Sequence, residues 1–338
     1  MTSAPIPFWQ RPVVPTKPVD LASMHLFRRS TFPADGGPAP WLDQPDAEDR
    51  IAERLGRGEI TAQEAELCRK WARDGYVILE GFYSQALMDQ TWREYEAAIA
   101  AGEAHPPAQP IYEGDPLPGR LLNVHFHVPA MDEMLNEPRM NHVMSVLLGA
   151  RAMPFQTIVG HKASQQMAHS DSVHMTTYPA GYLAASWIAY EDIGPNSGPL
   201  VYYPGSHKLP YMLSEDLGIK PEDGYSTYAT LYEPAVQRAI AEHGLKPKLF
   251  LAKKGDVLIW HANLLHGGSV LNDAKASRKA LVCHYFAEGV VCYHDLMGAL
   301  AHTHSGGDLY QRRRPAPVSP APRGIFARAL AAIRRPVS

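Results

Sequence analysis

The chain has 338 residues and a formal net charge of −3, with 45% hydrophobic and 20% charged residues, which is typical of a soluble globular protein. This charge gives no general affinity for nucleic acid, and no stretch approaches the roughly 20 apolar residues of a transmembrane helix. The first 15 residues lack the apolar centre of a secretory signal, and three cysteines cannot build a disulfide framework, so we expect a cytoplasmic protein.

Composition divides the chain into three segments. Residues 1–50 form a proline-rich N-terminal arm that we expect to be extended along the domain or partly disordered. Residues 51–295 are predicted to form the folded domain. Residues 296–338 form a basic tail, and its last 28 residues contain seven arginines and no acidic residue.

Two helices separated by a short strand are predicted at the start of the domain. The sequence Thr61-Ala-Gln-Glu64 has the form of a capping box, and apolar residues follow at helical spacing as far as the Asp74-Gly75 pair. A β-rich run over residues 76–79 comes next, and a second helix is predicted over roughly residues 84–101.

From about residue 121 onwards, short β-rich runs alternate with turns rich in Gly, Pro, Asn and Asp. Many short strands with turn signals between them favour a sandwich or a barrel. We therefore predict a mainly β protein with flanking helices, in which residues 210–245 form an insertion or lid. The clearest predicted strands cover residues 183–190, 198–203, 256–260 and 280–286.

A metal site is predicted from the spacing of three residues. His169 and Asp171 are two apart, which puts both side chains on one face of a β-strand. His266 follows a predicted strand and precedes two glycines, and we expect it to be the third ligand. His261 is the competing candidate, but its offset of five from His266 points it to the other side of a strand. Two imidazoles and one carboxylate on one side of a metal leave the other side open, as non-haem Fe(II) oxygenases require.

An arginine supplies the fourth part of this pattern. Arg278 lies twelve residues after His266 and opens the last long predicted strand. A planar guanidinium binds a carboxylate through two parallel hydrogen bonds, which lysine cannot reproduce. Arg278 is therefore the predicted anchor for the distal carboxylate of 2-oxoglutarate.

These motifs together resemble the phytanoyl-CoA dioxygenase family of Fe(II)/2-oxoglutarate-dependent oxygenases. The resemblance implies a double-stranded β-helix (jelly-roll, cupin-like) fold, in which His169, Asp171 and His266 hold Fe(II). It also implies that Arg278 clamps the co-substrate 2-oxoglutarate, with O2 as the second co-substrate and with Trp187 and Ser277 as further co-substrate-binding residues. The matching pieces run in order across roughly residues 150–290: 169–171, 185–192, 196–200, 204–207, 254–257, 266–268 and 278–284.

The expected reaction is hydroxylation of an unactivated C–H bond of a small-molecule metabolite, with release of succinate and CO2. Asp171 disfavours halogenation, because the halogenating branch of the family has a small residue there. The alternatives are a non-redox metal-dependent hydrolase and a catalytically silent module that binds a metal and 2-oxoglutarate. Ser170 and Gln165 are candidates for fixing the tautomers of the histidine ligands.

Several residues keep two interpretations. His174 faces either the substrate or the solvent, and His207 is interpreted as structural. Substrate contacts are expected from residues 105–130 and 205–245, and the second range contains four tyrosines that either wall a pocket or pack the lid: Tyr211, Tyr225, Tyr228 and Tyr232.

The basic tail contains one periodic stretch. Phe326, Leu330 and Ile333 recur at helical spacing among arginines over residues 323–335. This pattern predicts a short basic amphipathic helix that docks on a protein surface or makes a weak contact with an anionic membrane surface.

Overall fold

The computed structural model describes residues 6–15, 20–21, 24–32, 37–103 and 119–300. Within these ranges the α-helices are α1 Ala47–Gly56, α2 Ala62–Asp74, α3 Gln85–Ala100, α4 Pro129–Leu135, α5 Pro138–Leu148 and α6 Glu233–Glu242. The strands of the same ranges are β1 Tyr76–Leu79, β2 Arg120–Leu122, β3 Ala152–Gly160, β4 Thr176–Tyr178, β5 Leu183–Ala189, β6 Leu200–Tyr202, β7 Lys248–Phe250, β8 Val257–His261, β9 His266–Gly268, β10 Ala280–Ala287, β11 Val291–His294 and β12 Ala299–Leu300.

The strands form three sheets. The largest has the order β1-β8-β5-β10-β3-β2, and the two smaller ones have the orders β7-β6-β9 and β12-β11-β4. The pairings between these strands are antiparallel. The predicted strands correspond to β5, β6, β8 and β10, with ends shifted by one or two residues, and the mainly β prediction is confirmed.

The large sheet separates two cores, because successive side chains of a strand point to opposite faces. Ile188 and Ile259 belong to a core that also contains the apolar faces of α2, α3 and α5. Trp187 and Trp260 belong to a second core, which includes Leu200 of the small sheet β7-β6-β9. The candidate site described below lies on this second face, between the large and the small sheet.

Helix α2 begins and ends as its sequence predicts. The Thr61 side chain accepts a hydrogen bond from the Glu64 backbone, and the Glu64 carboxylate accepts one from the Thr61 backbone, so the capping box is confirmed. Gly75 ends the helix in the left-handed conformation, with φ of 77°. A side chain at Gly75 would also collide with the imidazole of His207, which is buried against this turn.

We therefore expect Gly75→Ala to lower the free energy of unfolding by about 1–2 kcal/mol for the left-handed backbone, with a further ~1–3 kcal/mol for displacing His207. Gly81→Ala is the matched control, because Gly81 has φ of 57° and open space around its Cα. Its cost should be limited to the backbone contribution of about 1–2 kcal/mol. Urea unfolding of both variants measures the difference, and equal losses would mean that the His207 contact is unimportant.

The described parts of the N-terminal arm lie on the domain. Trp9, Phe27 and Trp41 are buried in its cores, and the buried Arg28 side chain donates to the Ser214 hydroxyl. The predicted boundary at residue 50 falls inside α1, and the boundary after residue 295 falls between the paired strands β11 and β12.

The predicted basic helix over residues 323–335 lies outside the described residues, so its docking or membrane contact stays a prediction. Among the residues that are described, none of the helices is both long and apolar enough to cross a membrane.

Candidate metal centre

Two histidines face each other on paired backbone segments. The backbone N–H groups of His169 and His266 each donate to the carbonyl of the other at 2.9 Å, and their ring centroids are 4.6 Å apart. This reciprocal pair is the geometry of an antiparallel bridge, in which opposite side chains share a face. His266 is the first residue of β9, so the small sheet positions both rings.

The two glycines after His266 make this close approach possible. A Cβ added to Gly267 would lie 2.7 Å from the Gln166 carbonyl oxygen, and one added to Gly268 would lie 2.9 Å from the Gln165 nitrogen. Real Cβ atoms do not approach backbone so closely. Glycine at both positions therefore lets the segment that carries His169 lie directly against β9.

Asp171 joins the two histidines from a different local structure. It begins a short 3-10 turn, Asp171–Val173, and does not continue a strand from His169. The carboxylate Oδ1 nevertheless lies 3.6 Å from His266 Nε2. His169 and Asp171 thus converge as predicted, although the turn brings the carboxylate in and not strand alternation.

The three side chains form a set that fits a divalent metal ion. One donor atom from each of His169, Asp171 and His266 lies within 4.8 Å of the other two, and all three residues are buried. His169 Nδ1 lies 2.9 Å from the Met167 carbonyl and His266 Nδ1 lies 3.0 Å from the Leu264 carbonyl. A carbonyl only accepts, so each Nδ1 carries the proton and each Nε2 is free to bind a metal.

The protonation states agree with this donor set. Burial, reinforced by the neighbouring His266, lowers the pKa of His169 to about 3, so its imidazole is neutral at physiological pH. Burial opposes ionisation of Asp171, but His266 and His284 outweigh it, and the pKa of the Asp171 carboxyl is below its ordinary value. Neutral imidazoles and an ionised carboxylate are the forms that bind metals.

The second carboxylate oxygen has partners of its own. Trp260 Nε1 donates to Asp171 Oδ2 at 2.8 Å, and His284 Nε2 lies 3.7 Å from the same oxygen. The indole therefore fixes the rotation of the carboxylate and leaves Oδ1 directed at the histidines.

A cavity extends from the triad into the space between the two sheets. The Arg278 side chain lines it, and Nη1 donates to the Gly198 carbonyl at 3.1 Å. Trp187 lines the same cavity, with the centre of its ring 6.0 Å from the Arg278 guanidinium carbon. Ser277 is not among the described residues that line this cavity, and its hydroxyl donates to the Glu191 carboxylate at 2.9 Å; its predicted contact with the co-substrate stays a prediction.

The competing histidine lies elsewhere. His261 Nε2 is 3.2 Å from the Asp43 carboxylate, and its Nδ1 accepts a hydrogen bond from the Asn263 backbone N–H.

The two residues predicted to fix the histidine tautomers, Ser170 and Gln165, have other partners, because the Nδ1 atoms of the ligand histidines contact backbone carbonyls. The backbone N–H of Ser170 donates to the Tyr232 hydroxyl at 3.0 Å. The side-chain oxygen of Gln165 accepts a hydrogen bond from the Leu271 backbone N–H at 3.1 Å.

Comparison with known proteins agrees with this architecture. Residues 71–280 match the phytanoyl-CoA dioxygenase (PhyH) family. The chain belongs to the phytanoyl-CoA dioxygenase family. It is 32% identical over 133 residues to the peroxisomal phytanoyl-CoA dioxygenase of Rattus norvegicus, an alignment that covers 37% of this chain and only 35% of the rat protein.

Solved structures of similar fold include two enzymes bound to 2-oxoglutarate (alpha-ketoglutarate). The epimerase SnoN, in complex with Fe3+, alpha-ketoglutarate and nogalamycin RO, has a TM-score of 0.55 at 20% identity over 77% of this chain and 97% of SnoN. EctD from S. alaskensis, with 2-oxoglutarate and 5-hydroxyectoine, has a TM-score of 0.54 at 19% identity over 76% of this chain and 85% of EctD. At these identities the likeness shows the fold, and the predicted double-stranded β-helix core is confirmed.

Two neighbours of the triad were not predicted, although each leaves a signal in the sequence. His284 lies on β10, an even number of residues after Arg278, so both side chains point to the same face of the sheet. The cavity is lined by every second residue of this stretch: Arg278, Ala280, Val282 and His284. Trp260 lies two residues after Leu258 on β8, so both side chains point to the same face of the sheet and lie in the core next to the small sheet. Counting alternate residues outwards from Arg278 would have found His284.

Removing the indole donor should weaken metal binding in this family member. We expect Trp260→Phe to reduce Fe(II) affinity about 10- to 100-fold, because the Asp171 carboxylate loses the hydrogen bond that fixes its rotation. Trp92→Phe is the matched control, since it removes an indole donor to Glu96 at 2.6 Å away from the triad. Anaerobic titration against a chromophoric chelator measures both. Equal affinities in the two variants would contradict a role for Trp260.

Proposed function

We propose that the protein is an Fe(II)- and 2-oxoglutarate-dependent oxygenase that hydroxylates an unactivated C–H bond of a small-molecule metabolite. His169, Asp171 and His266 hold the iron, and Arg278 anchors the distal carboxylate of 2-oxoglutarate beside Trp187. The single observation that carries the proposal is the convergence of three buried metal-binding side chains on a cavity that also contains a buried arginine.

The donor set supports iron as the metal. Two neutral imidazoles and a carboxylate are the ligands of non-haem Fe(II) oxygenases, and no thiolate lies among them. When bound, the iron couples oxidative decarboxylation of 2-oxoglutarate, to succinate and CO2, to the insertion of one oxygen atom of O2 into a substrate C–H bond.

Residues around the metal site orient the metal ligands and the arginine that binds 2-oxoglutarate. The carbonyls of Met167 and Leu264 hold both ligand imidazoles as Nδ1-protonated tautomers. Trp260 holds the carboxylate. Arg278 is itself oriented by the Gly198 carbonyl, which directs the guanidinium into the cavity for a two-point contact with a carboxylate.

A non-redox hydrolase and a silent binding module are the alternatives. A hydrolase needs neither 2-oxoglutarate nor a guanidinium in the cavity. A silent module would bind iron and 2-oxoglutarate without consuming either O2 or 2-oxoglutarate. The family relationship and the position of Arg278 both support the oxygenase.

The experiment is an anaerobic titration of the full chain with Fe(II) and 2-oxoglutarate. We expect a weak visible charge-transfer band, followed on admission of O2 by succinate formation without added substrate. A band without succinate would indicate the silent module. No band, together with no effect of 2-oxoglutarate on metal binding, would refute the oxygenase and favour the hydrolase. Product analysis is needed as well, because a neighbour of similar fold, SnoN, is an epimerase.

The state of the three cysteines is relevant to the cellular compartment in which the protein works. Cys68, Cys283 and Cys292 are all buried and form no disulfide. Their reduced state supports our proposal that the protein works in a reducing, cytoplasmic environment.

A further inference from the structure

A second cavity meets the first at the triad. It is lined by residues on strands β2, β3, β11 and β12 and by the Tyr225 side chain. Both cavities are lined by His169, Asp171 and Arg120, whereas Arg278 lines only the first and His294 only the second. We call the second cavity the outer lobe. A 2-oxoglutarate molecule anchored at Arg278 would lie in the first cavity.

A directed chain of hydrogen bonds forms one wall of the outer lobe. The Met297 backbone N–H donates to His294 Nδ1 at 3.2 Å, so the ring proton is on Nε2. His294 Nε2 lies 3.2 Å from the Tyr225 hydroxyl, which in turn lies 3.3 Å from His174 Nδ1. The His174 ring lies against both Tyr225 and Tyr228, at interplanar angles of 27° and 28°. The wall therefore presents ordered polar groups to the lobe.

The outer lobe is lined by one cationic and one anionic side chain. Arg120 is the only arginine or lysine among its described lining residues, and Asp171 is the only carboxylate. Arg120 is exposed and forms no salt bridge with a side chain of the described ranges. With a divalent ion, Asp171, dianionic 2-oxoglutarate and Arg278 in place, the charges of these four groups cancel. Lys162 also lines the first cavity, and its ammonium donates to the Ala274 carbonyl. The positive charge of Arg120, where the two cavities meet, is then available to the substrate.

The other walls of the outer lobe include apolar side chains that are exposed to solvent. Leu122 and Met297 line it and are 45% and 44% exposed. Exposed side chains of this size gain stability when a ligand covers them. The lobe thus combines one cation, a polar wall and an apolar floor.

We propose that the outer lobe binds the substrate and that the substrate is a monocarboxylate with an apolar body. Its carboxylate pairs with Arg120 beside the Tyr225–His174 wall, and its apolar part covers Leu122 and Met297. One guanidinium and no second cation in the described lining match a single negative charge better than a phosphate with two. This inference rests on the proposed function, since it assigns the substrate class of the same centre.

The test is equilibrium binding to the full chain, loaded anaerobically with Fe(II) and saturating 2-oxoglutarate. The probes are straight-chain and aryl-substituted monocarboxylates of six to twelve carbons, each compared with its own neutral primary amide. We expect carboxylates to bind at least tenfold more tightly than their amides, measured by ligand-observed NMR and by the shift in Tm. Arg120→Gln should remove this preference, Arg120→Lys should keep most of it, and Tyr225→Phe should weaken carboxylate binding several-fold.

Arg238→Gln is the charge-matched control, because Arg238 is exposed on α6 and does not line the lobe. Equal binding of acids and amides, or no binding of any acid, would overturn the proposal. It would also be overturned if Arg120→Gln raised the 2-oxoglutarate requirement while leaving carboxylate binding unchanged, since Arg120 would then belong to the co-substrate. Failure of the proposed function is seen separately, as a missing absorption band before any probe is added.

Discussion

The variants His169→Ala and Asp171→Ala should each lose the visible band with Fe(II) and 2-oxoglutarate, and their 2-oxoglutarate turnover should fall to the level of the metal-free protein. Each change removes one of three donor atoms that lie within 4.8 Å of one another. Two remaining protein ligands hold Fe(II) poorly, and Asp171→Ala also removes the negative charge that partly balances the ion. Anaerobic absorption spectroscopy and succinate release measure the two effects.

His261→Ala is the matched control for the histidine variant. His261 was the competing ligand, but it pairs with Asp43 and not with the triad. Its replacement should lower stability, since it leaves a carboxylate without its partner, while the band and the turnover persist. Turnover retained by both His169→Ala and Asp171→Ala would refute the metal assignment. Loss of the band in His261→Ala, with the fold intact, would restore His261 as a ligand.

Arg278→Ala should raise the 2-oxoglutarate requirement strongly and leave Fe(II) binding nearly unchanged. Arg278 is buried and lines the cavity next to the triad without contributing a metal ligand. Losing one partner of a buried, charge-assisted pair costs about 2–5 kcal/mol, which corresponds to a roughly 30- to 4,000-fold weaker apparent affinity. Titration of the visible band with 2-oxoglutarate, and of the metal with a chelator, separates the two effects.

Arg278→Lys keeps the charge and serves as the comparison. Lysine cannot form the two parallel hydrogen bonds of a guanidinium, so its affinity should fall between those of the wild type and Arg278→Ala. An unchanged 2-oxoglutarate affinity in Arg278→Ala would show that another residue anchors the distal carboxylate. A parallel loss of Fe(II) binding would show that Arg278 mainly supports the structure.

Local patterns predicted much of the fold, because they depend on neighbours in the chain. The Thr61–Glu64 capping box and the glycine after Asp74 set the ends of α2 by hydrogen bonds within a few residues. Strand ends were less certain: β5 and β8 each differ from the prediction by a residue or two, since pairing partners decide where a strand stops. Ser277 shows the same limit, because adjacency to Arg278 did not reveal its bond to Glu191.

By itself, the sequence determined the four residues on which the proposed chemistry depends. Two histidines and an aspartate can bind a metal and an arginine can bind an anion, whatever path the chain takes between His169, Asp171, His266 and Arg278. Only the tertiary structure decided what surrounds them. Trp260 reaches Asp171 from 89 residues away along the chain. The outer lobe joins β2 to Tyr225 and to β11, and contacts between such distant parts of the chain arise only when the sheets pack.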